Sequence, residues 1–105
     1  MSAYLFVYHG GEHPETDEAA DAEIQAWMKW LGDLGDAVID PGNPVGQSTT
    51  VMPDGSVVDN GGANPMNGYS IVKADSLGAA QAIAKACPAL ASGGNVEVAE
   101  IYDVG

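Results

Sequence analysis

A few side chains in this chain have the types and spacing that chemistry requires. His9, Glu12 and His13 form a ligand-type cluster. An H-x3-H spacing on a helix would put both imidazoles on one face and suit Zn²⁺. Gly10-Gly11 between them and Pro14 after them oppose a helix. The expectation is therefore one histidine at a strand end, another in a loop, and no metal. His9 alone is a candidate catalytic base, since imidazole titrates at about pH 6.5. The competing reading is a strand-end histidine bonded to backbone or to a helix terminus. Tyr4, Tyr8, Tyr69, Lys73 and Glu97 are candidate ligand-binding residues, offering hydroxyls, one cation and one carboxylate. Their competing role is packing, with Lys73 paired to Glu97 across strands. Cys87 is a poor nucleophile, because Ile83, Ala84 and Pro88 are its expected neighbours and an apolar setting keeps a thiol protonated. Asp17 and Asp21 read as a solvated helix face. Neither a G-x-G-x-x-G nor a Walker pattern stands at a strand-to-helix turn, so no cofactor is implied.

The elements that must position these groups follow from hydropathy. Ala3 to Tyr8 is a short aromatic and β-branched run closed by Gly10-Gly11, which predicts a strand buried on both faces. Thr16 or Asp17 caps a helix. Along it Ala20, Ile24, Trp27, Met28, Leu31 and Leu34 fall on one stripe, with Trp30 at its border and Gly35 ending it. A second strand starts at Ala37 and is cut short by Pro41 and Pro44. Ser48 to Met52 and Ser56 to Val58 predict a hairpin around Pro53-Asp54-Gly55. Asp59 to Gly68 has no periodicity and is a candidate lid loop. Gly68 to Ala74 is a strand, Leu77 to Cys87 an alanine-rich helix capped at Asp75-Ser76, and Asn95 to Tyr102 the last strand.

Strand, helix, strand with hairpin, strand, helix, strand is the split βαβ order of an α+β, ferredoxin-like fold with an antiparallel sheet. Helices then cover one sheet face only. Leu5, Val7, Val72, Ala74, Val96 and Val98 are aliphatic and are expected under the helices. Tyr4, Phe6, Tyr8, Tyr69, Ile71, Lys73, Glu97, Ala99 and Ile101 are expected on the other face. That set is too apolar for water, so a second copy of the chain is the expected cover, giving a homodimer.

Composition sets the outer limits. The 105 residues predict one domain, residues 1–105. Fifteen Asp and Glu stand against three Lys and no Arg, for a net charge of −12. Nucleic acid and an anionic membrane are thus poor partners. The 46% hydrophobic content separates the chain from an acidic disordered tail. A single cysteine excludes an internal disulfide and suits the cytoplasm. The N-terminus lacks a basic region before its apolar run, so neither a signal peptide nor a membrane span is expected.

The second half carries a recognisable pattern: Gly68-Tyr69, Ala74-Asp75-Ser76, an alanine-rich helix ending at Cys87-Pro88, then Gly94 and Val96-Glu97-Val98. Over residues 65–102 the chain resembles the YCII-related domain family, with looser agreement in the first strand and helix. The resemblance implies a dimeric α/β barrel in a bacterial cytoplasmic protein, and a family of mostly unassigned activity. It also implies a His in the first helix and an Asp before a Pro in the second, proposed as a catalytic pair. Ile24 and Cys87 stand near those positions, so the pair is not carried over. Asp59-Asn60-Gly61-Gly62 likewise keeps only the Asp of a subgroup's Asp-Gly-Pro-Phe motif. The favoured expectation is a homodimer holding a small, mostly apolar ligand in the barrel cavity. The alternative is a lyase- or isomerase-like enzyme with His9 as base and Lys73 or Tyr69 as electrophilic donor.

Overall fold

The computed structural model describes residues 1–59 and 65–103. Its elements are β1 (Ser2–Gly10), α1 (Asp17–Leu34), a 3₁₀ turn (Gly35–Ala37), β2 (Val38–Asp40), β3 (Thr50–Val51), β4 (Val57–Val58), β5 (Met66–Ala74), α2 (Leu77–Ala84), α3 (Pro88–Ala91) and β6 (Gly94–Ile101). The main sheet has the order β2-β5-β1-β6 with every neighbouring pair antiparallel. β3 and β4 form a separate two-stranded arm. This is the ferredoxin-like α+β plan. No described helix is long and apolar enough to cross a membrane.

Local chemistry explains the helix limits. Thr16 caps α1, its Oγ1 accepting from the Ala19 amide at 3.0 Å, and Asp17 and Glu18 suit the positive first turn. Gly35 ends the helix at a φ of 55°, a conformation costly for other residues. Ser76 caps α2 in the same way through the Ala79 amide. The expected second helix is shorter than its alanine content suggested. It ends at Ala84, and Pro88, expected just past the helix end, instead opens α3 at the first-turn position where a missing N–H costs nothing. The candidate lid is also shorter, because β5 already begins at Met66; residues 60–64 of that loop lie outside the described residues.

The assignment of β1 to its two faces is reversed. Tyr4, Phe6 and Tyr8 lie on the helix side with Ser70, Val72, Ala74, Val96 and Val98. Leu5 and Val7 share the open face with Tyr69, Ile71, Lys73, Glu97, Ala99 and Ile101. The reason is volume. Phe6 sits opposite Ser70 and Val98, so one large ring occupies the space that small neighbours leave. Sorting aliphatic with aliphatic would have left α1's two tryptophans without ring partners. Trp30, expected at the border of the stripe, is instead its anchor. It is buried, stacks on Phe6 at 6.3 Å between ring centroids, and donates its indole N–H to the Ile83 carbonyl. Ile24 and Met28, expected in the core, are exposed at 57% and 68%. β1 is consequently covered on one face and only half-buried on the other.

Candidate functional site

The end of β1, the flank of α1 and the segment after β2 enclose a cavity of about 650 Å³. The helix supplies Ala20, Glu23, Ile24, Trp27, Met28 and Leu31. This explains the exposure of Ile24 and Met28: they face the cavity and not the core. Tyr8 and Ser70 come from the covered sheet face. Gly10 to Pro14 and Pro41 to Val45 complete the wall with Asn67 and Gly68.

The loop side of the wall is tightly fixed. Ser70 Oγ donates to the Pro41 carbonyl at 2.6 Å and accepts from the Tyr8 hydroxyl at 2.8 Å. Burial pushes the Tyr8 hydroxyl well above its ordinary titration range, with the bond to Ser70 opposing this. Gly42 has φ of 74°, and a Cβ there would lie 1.6 Å from the Tyr69 carbonyl oxygen. The chain therefore passes β5 as bare backbone. Val45 N–H to the Asn67 carbonyl, at 2.9 Å, continues the seam. The aromatic side is equally defined, with Tyr8 meeting Trp27 edge to face at 4.7 Å.

His9 belongs to the wall and is 6% exposed. A bulge separates it from Tyr8 in the pairing with β5. Across β6 it faces Asn95, and Glu97 is the diagonal neighbour two residues on. Its Nε2 lies 2.9 Å from Glu97 Oε1. A carboxylate only accepts, so Nε2–H donates, and Nδ1 of the neutral ring is a buried acceptor without a partner among the described residues. The contact sets the His9 ring toward the open sheet face, where the Glu97 side chain is 67% exposed.

The predicted residues are thus divided. His9, Glu12, His13 and Tyr8 line the cavity. Tyr4 is buried in the covered core, while Tyr69, Lys73 and Glu97 lie on the open face, so the five expected ligand-binding residues do not share one surface. The expected Lys73–Glu97 cross-strand pair does not form: Lys73 is opposite Ala3, Glu97 is opposite Val7, and β1 runs between them. Lys73 and Tyr69 are also outside the cavity wall, where an electrophilic donor would be needed. His9, Glu12 and His13 do not gather into a metal set; among the described residues no three His, Cys, Asp or Glu do. Cys87 is buried at the start of α3, and burial pushes its thiol up to about 11.

The cavity also differs in place from the expected one. It opens on the helix side and at the sheet's end, not over the open face. Ile24, which stands near the position where the family resemblance implies a histidine, is in its wall. Ser70, Trp27 and the Pro41–Val45 segment were missed as wall residues. The available signals were the i, i+4 spacing of Ile24 and Met28 beside Trp27, and Pro-Gly-Asn-Pro directly after a strand.

The chain belongs to the YCII-related domain family, whose model matches residues 1–104. Among solved structures, a similar chain is 5-chloro-2-hydroxyhydroquinone dehydrochlorinase from Burkholderia phenoliruptrix AC1100, in complex with 2,5-dihydroxybenzoquinone. It is 16% identical, the match covers 96% of this chain and 95% of that one, and the TM-score is 0.56. At this identity the likeness shows a shared fold. No curated protein matches the chain.

Proposed function

We propose that this chain is a single-domain, cytoplasmic, small-molecule-binding protein whose cavity beside α1 takes a small, mostly apolar ligand. The observation that carries this reading is the cavity: about 650 Å³, walled by Ile24, Trp27, Met28 and Leu31, with fixed polar groups from Tyr8 and Ser70. Concave, largely apolar sites of this size with sparse polar groups are what small ligands occupy. The dehydrochlorinase of similar fold, with its bound quinone, supports a ligand role. The test is a ligand-observed NMR screen of the intact protein, repeated on Ile24→Trp. That substitution adds bulk at an exposed position of the wall and leaves the core untouched. Hits lost in the variant support the site. Hits retained unchanged, or no hits at all, overturn it.

We propose further that the chain pairs as a homodimer. Leu5, Val7, Ile71, Ala99 and Ile101 form an apolar surface on the open sheet face, which a second copy would cover. A monomer mass from light scattering at micromolar concentration would remove the dimer.

A second reading is favoured by the His9–Glu97 pair. A histidine held in one tautomer by a carboxylate is the arrangement of a general base. In that reading the chain is a lyase- or isomerase-like enzyme in which His9 takes a proton from the ligand. The dehydrochlorinase likeness supports an enzymatic role, and Ile24 and Cys87 oppose the family's usual pair. An activity found in a lactone or enol panel should fall by orders of magnitude in His9→Ala and lose its pH dependence. Unchanged turnover in that variant removes the mechanism.

A further inference from the structure

We infer that the cavity takes an organic cation, an ammonium carried on a small apolar or aromatic body. This rests on the cavity being a ligand site and names the class of ligand. The first ground is a complete inventory of charge. The carboxyl and imidazole residues in the wall are Glu12, Glu23, His9 and His13, and Tyr8, whose phenol burial keeps protonated, is the one other ionisable residue there. The whole sequence contains three lysines and no arginine. Lys29 is bonded to Asp33 along α1, Lys73 is on the open sheet face, and Lys85 follows α2; none reaches the wall. An anionic ligand would enter a site with two carboxylates and no ammonium or guanidinium to meet it.

The second ground is what the wall leaves unpaired. Neither Glu12 nor Glu23 forms an ion pair among the described residues; the pairs are His9–Glu97 and Lys29–Asp33. An ammonium has three donors and no acceptor, the complement of that set. A hydroxyl donates as well, but brings no charge to the glutamates. The third ground is aromatic. Tyr8 and Trp27 form a corner in the same wall, and ring faces attract cations most strongly where water is excluded.

The experiment uses three probes of one shape: benzylamine, benzyl alcohol and benzoate, titrated calorimetrically into the intact protein at neutral pH and low salt. Benzylamine should bind about tenfold more tightly than benzyl alcohol, and benzoate most weakly. In a Glu12→Gln/Glu23→Gln double variant the advantage of the amine should shrink to about threefold or less while benzyl alcohol is unaffected. A circular-dichroism melt confirms that the variant is folded. Equal binding of amine and alcohol, or tightest binding of benzoate, overturns the cation. If benzyl alcohol still binds and Ile24→Trp blocks it, the cavity remains a ligand site and only its charge preference is wrong. Binding by none of the three overturns both.

Discussion

The two faces of β1 are built from different materials. On the covered side Phe6 is fully buried, flanked by Ser70 and Val98 and stacked on Trp30. On the open side Leu5 is half-buried between Ile71 and Ala99. The covered face alternates very large with very small and is shaped for two tryptophans on a helix. The open face carries aliphatic side chains of middling size, Leu5, Val7, Ile71, Ala99 and Ile101, interspersed with Tyr69, Lys73 and Glu97, a mixture that no element of the same chain covers among the described residues. Apolar content alone does not separate them. What does is whether the volumes are complementary to something else in the same chain.

That contrast is open to direct attack. Phe6→Ala should cost about 4 kcal/mol in urea unfolding, since the ring leaves a cavity between fixed neighbours. Leu5→Ala should cost less than half as much at high dilution. Equal losses would mean that the open face is as tightly packed as the covered one. Alkaline pH probes the covered side next. An unfolded thiol ionises at about 8.5, while buried Cys87 is pushed up to about 11. The unfolded chain therefore releases its proton first. This contribution to stability is complete below about pH 8.5 and falls as pH climbs toward the folded value, by about 3 kcal/mol in all. Cys87→Ala should flatten the profile between about pH 8.5 and 10; an unchanged slope would assign the loss to other groups. Tyr8→Phe should cost about 1 kcal/mol, because Ser70 keeps Pro41 as its acceptor and no buried donor is stranded. Smallest of all, Ile24→Ala should stay within about 0.5 kcal/mol, its side chain being outside the core. A larger loss would place Ile24 in the packing and not in the cavity wall.

Much of the architecture was legible in the residues. Thr16, Gly35 and Ser76 mark helix limits through hydrogen bonds that depend only on local sequence. The order of elements sufficed for the sheet, because few topologies connect them. The face of β1 was not legible, because a period of two yields two sets without saying which one meets a helix. Trp30 looked marginal on the wheel for a related reason. A helix stripe counts hydropathy, whereas Trp30 was chosen by the socket that Phe6 and Ile83 make for it. Of the residues singled out, His9 and Tyr8 line the cavity, as do Glu12 and His13, which the sequence offered only as an improbable metal cluster; the Glu97 contact depends on strand register, and the Pro41–Val45 wall depends on where a proline-rich segment crosses β5.

The bare backbone at Gly42 has a consequence for how proteins of this design can diversify. That position admits no side chain, because the Tyr69 carbonyl already fills the space. One wall of the cavity is therefore frozen against substitution. The opposite wall is Ile24 and Met28, exposed on a helix whose core contacts are made by other residues. Changes there alter the shape and polarity of the cavity at little cost to folding. Selection acting on such a chain has a fixed anvil and an exchangeable die, so new ligand preferences should arise first on α1.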